Sequence, residues 1–136
     1  MTRWFAAFCL CLLCSFAVNA ADLPKAREML KNYGLANCID SQFKEPSAIK
    51  EDISLAIGAY SFMGKGMHMI VQNEDTQEVL HDPYAATEKF ILDAYQKTSA
   101  LSKHSDQKMV FYGCLDVYNS QAFDAFVRTQ DQYVPQ

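Results

Sequence analysis

The chain has 136 residues, half of them hydrophobic, with 12 basic against 16 acidic residues and a formal net charge of −4. That balance leaves no basic stripe for a nucleic-acid backbone, and the length suits a single packed core. An acidic chain of this size is better matched to a basic protein partner than to a polyanion.

"MTRWFAAFCLCLLCSFAVNA", residues 1–20, reads as a secretory signal peptide. Arg3 supplies the positive start, residues 4–18 are apolar apart from Ser15, and Val18-Asn19-Ala20 fits the small-x-small cleavage pattern. The apolar run falls short of the roughly 18–20 residues that a membrane span needs, and no second run follows. No membrane anchor is therefore expected after cleavage. Phe8, Leu10 and Leu13, which precede Cys9, Cys11 and Cys14, are too large for a lipid-attachment signal. Cleavage after Ala20 removes these three cysteines and Arg3, leaving residues 21–136 as one domain with a net charge of −5. Two thiols remain, Cys38 and Cys114, and in an exported chain they are expected to form one disulfide.

Helical spacing recurs through residues 21–136, Gly and Pro are sparse, and no strand-like alternation is sustained. The first predicted helix covers about residues 24–42, with Asp22 as cap, Pro24 in the first turn, and Met29, Tyr33, Ala36, Cys38 and Ile39 on its apolar face. The second starts near Ser47, carries Ile49, Ile53, Ala56, Ile57 and Tyr60 at intervals of three or four, and ends at the "GKG" of residues 64–66. Residues 67–81 read as a helix, or as a short helix with a loop at Asn73-Glu74-Asp75. Asp82 caps and Pro83 opens a third helix, whose buried face is marked by Tyr84, Ile91, Ala94 and Tyr95. Residues 98–107 form the most polar connector. A helix follows over about residues 108–118, and Ser120 caps a last one carrying Ala122, Phe123, Phe126 and Val127. The tail, residues 131–136, is expected to fray. The fold class is all-α, a small bundle of five or six helices with one disulfide.

Chemistry is sparse. A nucleophilic cysteine needs a neighbouring base and an orienting group, and His68, His81 and His104 stand in no such local pattern. Both remaining cysteines lie on apolar helix faces, which raise a thiol pKa and favour pairing over catalysis. Glu51-Asp52 and Asp116 read as solvated carboxylates, and "GKG" lacks the strand and full pattern of a phosphate loop. "MGKGMHM" offers soft donors, Met63, Met67, His68 and Met69, which support an alternative reading as a copper-binding protein. Methionine also fills irregular cores and adaptable interfaces. The polar connector is either an ordinary link or a binding loop presented on a rigid scaffold.

Three segments carry a resemblance: "NYGLANCID" (32–40), "EDISLAIGAYSFMGKG" (51–66) and "KMVFYGCLDVYNSQAFDAFV" (108–127). Tyr33 with Cys38, Tyr60 with Gly64, and Cys114-Leu115-Asp116 with Asn119-Ser120 resemble the pattern of the immunity proteins of type VI secretion amidase effectors. Residues 65–84 are longer than the family's usual connection, and "FYG" before Cys114 is extra. The resemblance implies a periplasmic inhibitor rather than an enzyme, with no cofactor and with the chemistry confined to the partner, a Cys/His peptidoglycan amidase. It also implies a homodimer and a protruding loop that enters the amidase cleft. The positional match for that loop is Ser102, Lys103, His104, Ser105 and Asp106, with residues 67–81 of a second subunit completing the contact. An inhibitor of another cell-wall hydrolase, such as lysozyme, is the remaining alternative.

Overall fold

The computed structural model describes residues 22–135. The expected signal peptide, residues 1–20, lies outside the described residues. Helix α1, Leu23–Gln42, opens on Asp22, whose carboxylate accepts from the Lys25 N–H, and takes Pro24 in its first turn. Helix α2, Ala48–Tyr60, is capped by the Ser47 hydroxyl accepting from Lys50 N–H. Helix α3, Pro83–Gln96, begins on Asp82, which accepts from Tyr84 and Ala85. Helices α4, Val110–Tyr118, and α5, Gln121–Thr129, are separated by Asn119 and by Ser120, whose hydroxyl caps α5. Among the described residues, five α-helices and one bridge between Cys38 and Cys114 agree with the all-α expectation.

The core lies where α1 meets α3, α4 and α5. Leu30, Ile91 and Phe123 are fully enclosed, and both bridged cysteines are buried among them. Burying side chains of this size stabilises the fold by about 1.5–3 kcal/mol each. Gly34 lets α5 approach α1: a Cβ there would stand 2.9 Å from the Phe123 ring. Phe123 in turn stacks near Phe90, with ring centroids 5.7 Å apart.

Three expectations are corrected. Residues 67–81 form no helix but a small antiparallel hairpin, β1 (Val71–Gln72) with β2 (Val79–His81). A local turn combines with a long-range contact, the Met69 N–H donated to the Tyr133 carbonyl. β-Branched Ile70, Val71 and Val79 flank a turn in which the Asn73 side-chain oxygen accepts from Asp75 and Thr76 N–H. Gln77 closes that turn at φ 59°, a left-handed conformation no helix contains.

The second correction concerns facing. Of the apolar residues carried by α5, Ala122 is exposed, and α2 buries none of its residues, with Ile49 72 % exposed. Helix α2 rests mainly on α1, so its apolar stripe is only half covered.

The third is the C-terminal tail, which is docked through residue 134. A 3₁₀ turn, Asp131–Tyr133, follows α5, and Val134 is buried. Asp131 pairs with Arg27, the Tyr133 carbonyl accepts from Met69 N–H at 2.8 Å, and the Tyr133 ring stacks on His81 at 4.2 Å. These contacts strap the hairpin to the start of α1.

Candidate functional site

Residues 97–109 connect α3 to α4, and their stem is built tightly. Leu101 and Lys108 form an antiparallel bridge, Ser102 N–H donates to the Gln107 carbonyl at 3.0 Å, and Met109 N–H donates to the Ala100 carbonyl at 2.7 Å. Ala100 is buried where α4 comes close: a Cβ on Gly113 would lie 2.7 Å from the Tyr95 ring and 3.1 Å from Ala100 Cβ. Lys108 extends across the Tyr95 ring, 4.3 Å from its centre, and its ammonium donates to the Tyr95 carbonyl at 2.6 Å. A cation at these end-of-helix carbonyls suits the α3 dipole.

The tip is the sequence-predicted loop. Lys103, His104, Ser105 and Asp106 are exposed and Ser102 is half-buried. The Ser102 hydroxyl accepts from His104 N–H at 3.2 Å. The structure therefore brings the five candidate residues together on one short, hydrogen-bonded projection. The disulfide fastens α4, the far end of the loop, to α1.

Sequence reasoning missed the apolar rim of this loop. Leu101, Phe111 and Tyr112 are each at least 60 % exposed, and Met109 is partly so. The signal was available. Successive residues turn about 100° around a helix, so Cys114, fixed inward, sends Tyr112 and Asp116 outward. Beside the loop an open cavity of about 620 Å³ is bordered by Leu101, Lys103, His104, Met109, Tyr112 and Asp116.

The Met/His candidates lie elsewhere. Met67, His68 and Met69 border an open cavity of about 670 Å³, while Met63, 80 % exposed, does not. Among the described residues no three His, Cys, Asp or Glu side chains gather as a metal site. His68 is 2 % exposed, and neither ring nitrogen has a hydrogen-bond partner among the described residues. Its backbone is held instead: the Tyr84 hydroxyl accepts from His68 N–H and donates to the His68 carbonyl. Burial pushes the His68 pKa below the ordinary 6.5, against a smaller upward pull from Asp131.

A pH dependence follows from the buried imidazole. Native His68 stays neutral where the unfolded chain already takes up a proton, so the unfolded state gains protons first as pH falls. Stability is complete above about pH 6.5 and declines below it, by up to about 1.4 kcal/mol per pH unit from this one group. Asp124 and Asp131, held below the usual 3.8 by hydrogen bonds from Lys31 and Arg27, add their own losses only at lower pH. Urea unfolding at pH 7.5, 6.5 and 5.5 should show the decline, and His68→Leu should flatten it. An equal slope in the variant would assign the decline to other groups.

The fold and the loop define a small, disulfide-stapled helical protein that carries a short, hydrogen-bonded, exposed polar loop. The profile of the family described as "Type VI secretion system (T6SS), amidase immunity protein", Tai4, matches residues 28–127, and the chain belongs to this family. No curated protein and no solved structure matches it. The family description gives the partner's class, an amidase, and the role, immunity. Among the described residues no helix is long and apolar enough to cross a membrane.

Proposed function

We propose that residues 21–136, released from signal peptide 1–20, form a single-domain periplasmic immunity protein that binds a type VI secreted peptidoglycan amidase and occludes its active site. The observation that carries this reading is a pre-ordered loop, Ser102–Asp106, in a chain of the amidase immunity family. Its hydrogen-bonded stem reduces the ordering cost of binding. Occlusion of a Cys/His cleft requires no catalytic group from the inhibitor. The protein acts as a homodimer: the uncovered Ile49 and Leu55 of α2, 72 % and 70 % exposed, are suited to cover by a second subunit. The hairpin of residues 67–81 from that subunit completes the contact with the amidase.

The test is peptidoglycan hydrolysis by the type VI amidase effector of the same genome, with and without the mature protein. Hydrolysis should cease at stoichiometric inhibitor. Alanine at Lys103, His104 and Asp106 together should weaken inhibition about 30-fold or more, the effect of losing an interface hot spot. The melting temperature should hold, since all three side chains are exposed. Undiminished hydrolysis with the wild-type protein would overturn the reading.

A further inference from the structure

We propose that the outer face of α4, beside the loop, is a receptor for an arginine side chain of the amidase, seated between Tyr112 and Asp116. This rests on the immunity reading above and names the chemistry by which the partner is recognised.

A second cavity, about 360 Å³ and open, adjoins the first and is bordered by Phe111, Tyr112, Leu115, Asp116 and Asn119. The two cavities share Tyr112 and Asp116. Positions 112 and 116 are one helical turn apart and stand side by side. Asp116 is exposed, and no ion pair or hydrogen bond engages its carboxylate among the described residues. Asn119 donates one amide N–H to the Leu115 carbonyl, at 2.9 Å, and its side-chain oxygen remains an acceptor. The carboxylate and the Asn119 oxygen thus present acceptors, while Phe111 and Tyr112, 64 % and 61 % exposed, supply aromatic faces.

Aromatic faces next to a carboxylate match a guanidinium, which stacks on a ring and donates in a planar fork. Lys103, the cation of the loop, borders the first cavity, as Asp116 does, but not the second, and no salt bridge joins the two, so the second cavity presents Asp116 without a cation beside it. A carboxylate of the partner would find in this second cavity no cation, only the Tyr112 hydroxyl and the second amide N–H of Asn119 as neutral donors, and would face the Asp116 charge. Charge complementarity therefore selects a cationic side chain, and the planar aromatic wall selects arginine over lysine.

Calorimetric titration of the mature protein with the amidase of the same genome tests this. Asp116→Asn and Tyr112→Ala should each weaken binding about 10-fold or more, the loss expected for a charge-assisted contact. Asp116→Asn should also flatten the salt dependence of the dissociation constant. Thermal melts of both variants confirm that the fold is intact. Unchanged affinity in both folded variants, with tight wild-type binding, overturns the arginine receptor and leaves the immunity reading standing. Failure of the wild-type protein to bind overturns both. A change in the protein's own oligomeric state with Asp116→Asn, and none in amidase affinity, assigns the face to a second copy and overturns the proposal.

Discussion

Replacing Cys38 and Cys114 together by alanine is expected to cost the native state about 2–5 kcal/mol, a large share of the roughly 5–15 kcal/mol that holds a small domain folded. The bridge joins residues 76 apart, and the chain-entropy account puts a loop of that length at roughly 4 kcal/mol. It ties α1 to α4 at two fully buried positions, so little of the loss is recovered by solvation of the freed side chains. Urea denaturation with and without reductant measures the effect. Reduction of the wild-type protein should lower the midpoint nearly as far as the double substitution does. A difference below about 1 kcal/mol would mean that packing alone sets the α1–α4 geometry.

The same staple bears on the proposed activity. The loop of residues 102–106 runs directly into α4, the helix that the bridge fixes, and its stem closes through Ala100 and Met109. Loss of the bridge should therefore weaken inhibition only as far as it unfolds the protein. At a temperature where the double variant remains folded, inhibition should return. An inhibitor that fails while still folded would show that the bridge positions the loop directly.

Legibility in the sequence followed the origin of each feature. Asp22, Ser47, Asp82 and Ser120 were readable as caps because a cap acts within four residues of itself. The Cys38–Cys114 pairing needed only the count of thiols that the expected signal cleavage leaves. The loop was located by its polarity, and the family by motifs around the two cysteines. Three features could not be read locally. The hairpin of residues 67–81 depends on a left-handed Gln77 and on the docked C-terminal strap, to which Met69 donates. The exposure of Ile49 and Leu55 depends on what α2 has beside it, and an amphipathic stripe has the same spacing whether fully or half covered. The inward position of His68 follows from Tyr84 gripping its backbone, a contact 16 residues away in the chain.

Phe123→Ala should be as damaging as loss of the disulfide, at about 3–5 kcal/mol, because an enclosed aromatic ring leaves a cavity its neighbours refill poorly. The tip of the ring meets α1 at Gly34, where Thr87 and Ile91 of α3 also close on the glycine. That contact yields a sharper test than truncation alone. Alanine at Gly34 gains up to about 1 kcal/mol of helix propensity, but its methyl would meet the Phe123 ring at 2.9 Å and Thr87 Cγ2 at 3.0 Å. Overpacking of this kind costs about 1–3 kcal/mol, so Gly34→Ala alone should destabilise. With Phe123→Leu the ring edge is gone, and the same methyl fills part of the space. The double variant should then be more stable than the sum of the single effects by about 1 kcal/mol or more. Urea unfolding of the four proteins closes the cycle, and additive effects would mean that α1 and α5 can part without cost at this contact. Because α5 also holds the C-terminal strap, the single Phe123→Ala substitution should loosen residues 130–135 along with the core, read as faster hydrogen exchange at Met69 N–H, whose acceptor is the Tyr133 carbonyl.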